Sequence, residues 1–471
     1  MDALTSLRYF VPELILLGTA LGVLLLDLFV PQKKVLGVLA ILGTVATLAF
    51  VRYPTEPLPL FFGFFLLDPF SFFFKVAALG IIAVSLAASL SYKSLPYFGE
   101  YTALFLFLGL GLILMGSSNN LLMIFLSMEF VSILSYLLVG FLKKDSRAKE
   151  AALKYLLFGS VASGTMLYGM SILFGLTGAI DLNVIQAKLT TQPVSPALVL
   201  AALLLIMVGL GFKISMAPFH MWAPDVYEGA PTPVTAFLTV GPKALGFALL
   251  LRLLHTSFLE LWDQWSYLLA VLSMFTMTIG NVIAISQTNV KRLLGFSSIA
   301  QAGYILMGLC VSSALGVTGV LVYLAAYALT NLGAFLCVIA VSNHFGSDEI
   351  DTYAGLAQKS PFLASSLTLF LLSLAGIPPL AGFIGKLYVF ASAVEGRFFT
   401  LAVVAALNSA VAAYYYFKIV RLMYLVPAEN PEPIARPLPL LIALILTLAG
   451  ILVLGIFPSP FIEFVERSLI L

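Results

Sequence analysis

Hydrophobic residues along this chain form long blocks separated by short polar connections. A helix that crosses a membrane needs about 20 mostly apolar residues, and backbone groups in lipid are satisfied only in helices or closed barrels. We therefore predict an all-α polytopic membrane protein with about 14 transmembrane helices. The predicted spans are approximately 9–30, 34–52, 70–91, 101–116, 119–142, 149–176, 196–222, 232–256, 264–286, 290–311, 316–343, 361–394, 398–425 and 437–457.

Lysine and arginine in the connections predict the orientation of these spans. The first block lacks the basic start and small-residue cleavage site of a signal peptide, so we treat it as a span. With the N-terminus outside, most basic connection residues, notably Lys33, Lys34 and the cluster at 143–149, fall at cytoplasmic ends. We expect both termini on the outer, periplasmic side of a bacterial plasma membrane.

Composition narrows the possible functions. Of 471 residues, 61% are hydrophobic and 10% are charged, against about 25% charged in soluble domains. This composition excludes a soluble globular enzyme and a disordered regulator. The net charge of +2 is too small to indicate a basic surface that binds nucleic acid. Two cysteines and three histidines provide no cluster for a metal or redox cofactor. No nucleotide-binding loop motif supports ATP-driven transport.

Two stretches match weakly at an offset near 168 residues. Ser135–Phe141 resembles Gly303–Leu309, and Lys154-Tyr155-Leu156 falls on Val322-Tyr323-Leu324. This register superimposes spans 4–8 on spans 9–13, and an odd number of spans inverts the second unit. Inverted repeats are typical of secondary transporters, although chance similarity between leucine-rich helices is the alternative. The expected segments are 1–100 with three N-terminal helices, 101–258 with the first repeat (inlet half-channel), 259–427 with the inverted repeat (outlet half-channel), and 428–471 with the last helix and tail.

Spans 7 and 12, the fourth of each unit, contain prolines that should break the helix. Pro218 lies in span 7, close to Lys213, and Pro378-Pro379 lies in span 12, seven residues before Lys386. Proline removes a backbone donor and repels the carbonyl four residues earlier. Paired interrupted spans near a charged residue are the sequence pointer to a transport site.

Several ionisable residues lie within spans, where a charge at the bilayer centre costs about 2.5–3.5 kcal/mol and usually has a function. Glu129 is the clearest; a static ion pair that fixes helix packing is its alternative. Lys213 and Lys243 are equally distant from the turn near Glu228, so they should lie at similar depth. A buried lysine can release and regain a proton. Lys386 is a further candidate.

Other ionisable residues have ordinary structural interpretations. Lys154 lies near the start of span 6, where it could snorkel to the interface, and the same applies to Lys75 and Lys418 near span ends. His220 either relays protons or caps the backbone freed at Pro218. We expect His255 and His344 to be interfacial and Asp68 to be a helix N-cap. Polar residues that could hold water, or simply bond helices together, are Ser297, Ser298, Gln301, Thr330, Asn331, Asn408 and Ser409.

The segment 213–237, which begins Lys213-Ile-Ser-Met-Ala-Pro-Phe-His220, resembles the signature of the antiporter-like subunits of respiratory complex I. Its Asp225-Val-Tyr-Glu-Gly-Ala-Pro231 portion resembles the N-type subunit in particular. Ser127-Met-Glu129, Lys154-Tyr155 and the 376–386 stretch are also similar to this family. The resemblance covers nearly the whole chain.

The resemblance implies a membrane-arm subunit of a proton-translocating NADH:quinone oxidoreductase. Such a subunit moves protons without a cofactor or metal of its own, while NADH, FMN, iron–sulfur clusters and quinone are bound by other subunits. Its partners would be neighbouring antiporter-like and small hydrophobic subunits and the lipid bilayer, not nucleic acid. The implied proton-transfer residues are the pair Glu129 and Lys154, then Lys213, Lys243 and Lys386; His220 remains an additional candidate.

Two other functions stay open from the residues alone. One is a subunit of a multisubunit sodium/proton antiporter of the Mrp type, which usually has a histidine-containing segment in place of Asp225–Pro231. The other is a non-pumping membrane scaffold in which Glu129 and the lysines form static ion pairs.

Overall fold

The computed structural model describes residues 2–93, 95–428 and 432–469. Residues 429–431 and 470–471, which belong to the predicted segment 428–471, therefore lie outside the described residues. The protein is 80% helical. The N-terminal helices are α1 (Ala3–Leu7), α2 (Val11–Asp27), α3 (Lys33–Phe50) and α4 (Pro69–Ser91). A small antiparallel hairpin of β1 (Leu58–Leu60) and β2 (Phe65–Leu67) connects α3 to α4 and was absent from our prediction.

The remaining helices follow with short connections. The middle of the chain contains α5 (Phe98–Ser117), α6 (Leu121–Val139), α7 (Ser146–Thr177), α8 (Leu182–Thr191), α9 (Pro196–Ile214), α10 (Ala223–Gly229) and α11 (Thr232–Ser257). The C-terminal part contains α12 (Trp262–Ala284), α13 (Val290–Leu309), α14 (Ala314–Phe345), α15 (Leu356–Lys359), α16 (Pro361–Ala375), α17 (Ala381–Glu395), α18 (Phe399–Leu425), α19 (Leu438–Ile456) and α20 (Ser459–Glu466).

Eleven helices in the described residues are long and apolar enough to cross a membrane. The chain is thus an all-α, multi-pass membrane protein. Three further predicted spans correspond to helices outside these eleven: α2, α13 and the interrupted pair α16 and α17. The short helix α8 was not predicted, because its ten residues are too few for a span.

Polar N-caps explain where several helices begin. Asp68 accepts a hydrogen bond from the Ser71 amide and forms a capping box with the Ser71 hydroxyl at the start of α4, as predicted. Asn120, Asp145 and Asn289 cap α6, α7 and α13 in the same manner. These side chains satisfy amides that have no partner inside the helix.

Both predicted breaks occur. Helix α9 ends at Ile214, Ser215 adopts the left-handed conformation, and the chain passes Pro218 before α10 begins. Helix α16 ends at Ala375, Gly376 has a φ of 88°, and α17 begins beyond Pro378-Pro379. Each break contains a cis peptide bond before a proline. Proline has no amide to continue the helical ladder, so the helix stops and restarts.

Helix α11 lies at the centre of the molecule. It is wholly buried and packs against α4, α5, α9, α13 and α14. At the periphery, α19 packs on α14 and α17. Gly455 of α19 lies against the second break, where an added Cβ would overlap with the Pro379 carbonyl oxygen. Beside the breaks, Lys213, Ser215 and Leu380 are buried, whereas Pro218, Pro378 and Pro379 are exposed at the surface of the bundle.

Candidate functional site

Glu129 lies in the middle of α6 and faces the first break. Its Oε1 accepts a hydrogen bond of 2.5 Å from the Ser163 hydroxyl of α7. One turn further along α6, the Ser132 hydroxyl accepts a hydrogen bond of 2.9 Å from the buried Lys213 ammonium. Residues three apart share a helix face, so Glu129 and Lys213 are neighbours that interact electrostatically.

Lys213 owes its position to the end of α9. It is the second-to-last residue of that helix, where the partial negative charge of the helix end favours a cation. Trp222 Nε1 donates to the Phe212 carbonyl at 3.1 Å, and the Met216 amide donates to the Gly211 carbonyl at 2.8 Å. The Lys213 ammonium is not one of these donors and is directed toward Ser132 of α6.

Lys243 lies on α11, which packs against the end of α9 that carries Lys213. Gly246, three residues after Lys243 on α11, packs against Lys213: a Cβ added at Gly246 would be 3.4 Å from Lys213 Cγ. The Lys243 ammonium is buried and donates to the Ser298 hydroxyl at 2.8 Å and to the Ser298 carbonyl at 3.0 Å. Lys243 thus connects α11 to α13.

A buried hydrogen-bonded network continues from α13 toward the second break. The Ser297 and Tyr416 hydroxyls are 2.5 Å apart, and Gln301 Nε2 lies 3.3 Å from the Tyr416 hydroxyl. The same Gln301 nitrogen donates to the Leu374 carbonyl at 3.1 Å, and Tyr323 donates to Gln301 Oε1 at 2.5 Å. We call the residues from Glu129 through Lys213, Lys243 and this network to Lys386 the polar path.

Lys386 completes the polar path at the second break. It is buried, and its ammonium donates to the Ala375 carbonyl at 2.9 Å and to the Ser409 hydroxyl at 3.3 Å. The Tyr304 ring lies beneath it, with 4.5 Å between the ammonium and the ring centre. Ala375 is the last residue of α16, so Lys386 binds a carbonyl that the break leaves without a helical donor.

Lys154 does not pair with Glu129 in this structure, in contrast to the pairing that the resemblance implied. Its ammonium lies 2.7 Å from Asp225 Oδ2 and 2.7 Å from Glu150 Oε1, and its side chain is 38% exposed. Ser163, the α7 residue that contacts Glu129, is nine residues further along, about 13 Å of helix rise. That distance exceeds the reach of a lysine side chain, and it agrees with the shallow position predicted from spacing alone.

Lys154 belongs instead to a charged cluster around a cavity of about 280 Å³. Arg292 of α13 lies 2.8 Å from Asp225 and 2.9 Å from Glu228. Partial burial opposes ionisation of Asp225, but hydrogen bonds and charges from Lys154 and Arg292 outweigh it and hold the Asp225 pKa below its usual value. The Asp225 carboxyl therefore stays ionised. Its ion pairs with Lys154 and Arg292 anchor the segment between the first break and α11.

The other predicted polar residues join helices in the interior. The Thr330 hydroxyl lies 3.0 Å from that of Ser373, and Asn331 donates to Thr239 at 2.7 Å. Asn408 accepts a hydrogen bond of 3.1 Å from Asn281. His220 is partly buried beside the first break, and its Nδ1 has no hydrogen-bond partner among the described residues.

The sequence analysis missed two buried ion pairs and misplaced one lysine. Lys75 does not snorkel: its ammonium is buried 2.6 Å from Glu13 Oε1 on α2. Arg252 makes two hydrogen bonds to the Asp68 carboxylate, of 2.7 and 3.0 Å. These partners are 62 and 184 residues apart, so only the spacing of charges within spans could have hinted at them. No group of histidine, cysteine and acidic residues suited to a metal occurs in the described part of the chain.

Comparison with known proteins decides the family. Residues 118–412 match the family described as "NADH:quinone oxidoreductase/Mrp antiporter, TM". The chain belongs to this family. NADH-quinone oxidoreductase subunit N 2 of Chloroherpeton thalassium is 45% identical over 90% of this chain and 87% of its own length. NADH-quinone oxidoreductase subunit N of Dehalococcoides mccartyi is 41% identical over 98% of each chain.

A solved structure agrees with these relatives. A chain of respiratory complex I from Thermus thermophilus with bound aureothin is 32% identical to this chain, with a TM-score of 0.81 over 96% of this chain and 98% of that one. The resemblance to the N-type subunit that the sequence analysis drew from residues 225–231 is thereby confirmed. Within the NADH:quinone oxidoreductase/Mrp antiporter family, this chain is similar to subunit N over nearly its whole length.

Proposed function

We propose that this chain is a proton-translocating membrane-arm subunit of an NADH:quinone oxidoreductase. The observation that carries the proposal is the polar path, in which three buried lysines, Lys213, Lys243 and Lys386, lie at or between two broken helices and each donates to a neutral oxygen. Placing three ammonium groups in a membrane interior costs free energy, and residues retained there despite that cost usually have a function. The relatives named subunit N favour the same function.

In this proposal the chain performs no redox chemistry. NADH, FMN, iron–sulfur clusters and quinone are bound by other subunits, and the chain assembles with neighbouring antiporter-like and small hydrophobic subunits. The energy for transport reaches it from such a neighbour as a change in local charge or packing. The site is a bacterial plasma membrane, with both termini on the outer side, as the basic connections around Lys33, Lys34 and 143–149 favour.

We infer fourteen spans arranged as two inverted repeats of five spans, within α5–α11 and α12–α18. The broken pairs α9/α10 and α16/α17 each count as one span, and the short helices α8 and α15 are not spans. A shift of 168 positions carries α7 onto α14, both of 32 residues, and carries their left-handed C-caps Gly178 and Gly346 onto each other. An isolated bridge joins Asn120 to Asp181 in one unit, and a similar bridge joins Asn289 to Glu349 in the other. These correspondences support the repeat independently of the weak sequence matches.

Within the repeats, the first forms an inlet half-channel and the second an outlet half-channel. Protons load Lys213 from the cytoplasmic side, pass to Lys243 and through the Ser298–Gln301 network, and leave from Lys386. Inversion supports opposite access, because equivalent elements of the two units then face opposite sides. His220, beside the first break, is a candidate relay at the loading step.

Electrostatics provides the coupling in this mechanism. Glu129 favours the charged form of its neighbour Lys213, and charges interact strongly in a medium of low dielectric. A positive group that approaches Glu129 from the adjacent subunit or from α7 would weaken that effect and drive the proton toward Lys243. Because Lys154 is held by Asp225 and Glu150 in this structure, we assign it to the cytoplasmic mouth of the inlet rather than to a contact with Glu129.

The two alternative functions, an Mrp-type antiporter subunit and a non-pumping scaffold, predict different sequence relatives and different partners for the buried charges. An Mrp-type antiporter subunit shares the family and the fold, but the relatives at 41–45% identity are named subunit N. A scaffold requires each buried charge to be permanently paired. Lys243 and Lys386 instead contact neutral oxygens of Ser298, Ala375 and Ser409, which favours groups that change their charge.

Glu129→Gln in the assembled complex tests the proposal. We expect NADH-driven proton uptake into proteoliposomes and quinone reduction to fall together by about tenfold or more, since the charge that acts on Lys213 is lost. Glu129→Asp, which keeps the charge and shortens the side chain, should be milder. Glu100→Gln is the matched control, because Glu100 is an exposed acid in the first turn of α5. Full pumping by an assembled Glu129→Gln complex would overturn the proposal.

A further inference from the structure

A cavity of about 130 Å³ opens beside the start of α2 and the end of α3, away from the polar path. Its lining includes Arg8, Arg52 and Lys75, and no acidic residue. Arg8 and Arg52 are exposed, and neither side chain has an ion-pair or hydrogen-bond partner among the described residues. Two unpaired guanidinium groups at one small cavity point to a negatively charged ligand.

Lys75 adds a buried donor to the same cavity. Its side chain is 2% exposed, and its ammonium contacts Glu13 Oε1 at 2.6 Å. An ammonium carries three donors, and Glu13 provides the one acceptor found for Lys75 within the described residues. Two donors of a buried cation therefore remain for a ligand, while Glu13 offsets the charge of Lys75 and leaves the two arginines in excess.

The N-terminal end of α2 adds partial positive charge to the same cavity. Val11 and Pro12, its first residues, line the cavity, and no described side chain caps this helix end. First-turn amides lack helical acceptors and carry partial positive charge. A phosphate group suits this set, because guanidinium groups bind phosphate through two donors each.

The residues around the cavity favour a membrane lipid as the molecule that carries the phosphate. The cavity lies where α2 begins and α3 ends, at a boundary of the apolar bundle. Tyr9, Phe50 and Tyr53 are exposed there, and aromatic residues favour the membrane–water interface. Leu14, Val45 and Leu48 are exposed further along the same two helices and offer an apolar surface to an acyl chain.

We propose that this cavity binds the phosphate of an anionic phospholipid, with Arg8, Arg52 and Lys75 as its ligands and its acyl chains along α2 and α3. Zwitterionic lipids also carry a phosphate, but their headgroup amine would meet a cavity lined with cations. The site is independent of the polar path and of the proposed function.

The experiment uses the assembled complex in nanodiscs with trace photoactivatable phosphatidylglycerol or phosphatidylcholine of identical chains. We expect phosphatidylglycerol to label peptides containing residues 9–14 or 48–53, and Arg8→Gln/Arg52→Gln to reduce this labelling by about tenfold. The matched control is Arg397→Gln/Lys418→Gln, which removes two exposed cations elsewhere and should leave the labelling unchanged.

Three results would overturn the proposal. Equal labelling by phosphatidylcholine would remove the selectivity for an anionic lipid. Unchanged labelling of the Arg8→Gln/Arg52→Gln variant would remove the assigned ligands. Loss of labelling in a large excess of inorganic phosphate would make the cavity a site for a free anion instead of a lipid. We expect the Arg8→Gln/Arg52→Gln variant to pump protons normally with NADH, because neither arginine lies on the polar path. Lipid labelling therefore tests the phospholipid site, and pumping by the Glu129 variants tests the proposed function.

Discussion

The Lys386 ammonium lies 2.9 Å from the carbonyl oxygen of Ala375, on the other side of the break between α16 and α17. One side chain thus satisfies the end of one half-helix while it is carried by the other half-helix. A change in the charge of Lys386 therefore alters the bond that joins the two halves. In the proposed mechanism, this contact would couple proton transfer at Lys386 to the geometry of the second break.

Lys386→Met should abolish the outlet step. Methionine has nearly the same length and suits a helix interior, but it cannot carry a proton and leaves the Ala375 oxygen without this donor, at about 1–3 kcal/mol. We expect pumping in proteoliposomes to fall by about tenfold or more. Lys386→Arg keeps a donor and a charge but does not deprotonate, so it should assemble better and still pump poorly.

The exposed Lys418 of α18 provides the control for this pair of variants, since Lys418→Met removes a lysine at the membrane surface. Normal pumping by an assembled Lys386→Met complex would remove Lys386 from the path. Water accessibility of Lys386 only from the cytoplasmic side, measured by labelling of Lys386→Cys, would reverse the assigned direction.

Lys213 and Lys243 should behave as parts of one path. Their helices touch at Gly246, and a path that is interrupted once is already interrupted. Lys213→Met/Lys243→Met should therefore pump little worse than the more severe single variant. Multiplied losses, the result for independent sites, would count against a single path; initial rates of proton uptake normalised to assembled complex give the comparison.

Lys154→Met should impair pumping less than Glu129→Gln does. Lys154 is partly exposed and contacts Asp225 and Glu150 rather than Glu129, and exposed ion pairs contribute about 0–1 kcal/mol. Parallel measurement of both variants in one lipid composition checks the order. An equal or larger loss in Lys154→Met would show that Lys154 reaches Glu129 during turnover.

Arg252→Met should destabilise the subunit through Asp68. Removing one partner of a buried pair costs about 3–5 kcal/mol, so we expect less assembled complex and lower resistance to heat. Burial acts to raise the Asp68 pKa, but the charge and hydrogen bonds of Arg252, with those of Ser71, outweigh it and keep the pKa below its usual value. The ion pair between Asp68 and Arg252 thus stabilises the folded subunit fully above about pH 4, and this stabilisation is lost as the pH falls further.

Thermal unfolding of the purified complex from neutral pH to below about pH 4 checks this second effect. The wild type should lose stability on acidification more steeply than Asp68→Asn/Arg252→Met, which has no pair to lose. An identical dependence in both proteins would contradict the assignment. The double variant should also recover part of the stability that Arg252→Met loses, because it leaves no buried unpaired charge.

The helices and their breaks were predictable because both depend on nearby residues. Apolar blocks fix where a helix can lie in lipid, and Pro218 and Pro378-Pro379 fix where it must stop. The predicted bounds, such as 70–91, agree closely with α4 at Pro69–Ser91. Similar depth for Lys213 and Lys243, which counting along the chain indicates, stays a prediction.

The partners of the charges were not predictable in this way. Lys75 looks like a snorkelling residue until α2 places Glu13 beside it, and that contact is made by residues 62 positions apart. The Glu129–Lys154 pairing came from resemblance, whereas the rise of α7 keeps Lys154 at the surface. The hairpin at 58–67 escaped notice because its apolar residues are too few for a span, although Gly63 within it and Asp68-Pro69 after it are turn signals.

Helix α19 contains no ionisable residue, yet Gly455 places its backbone directly against the Pro379 carbonyl of the second break. A larger residue at Gly455 would push the helix outward and admit hydrocarbon to carbonyl groups that need polar partners. Helix α19 therefore covers one side of the second break with its own backbone, while Pro378 and Pro379 stay exposed on another side. An uncharged helix thus helps to set the shape of the second break through close backbone packing alone.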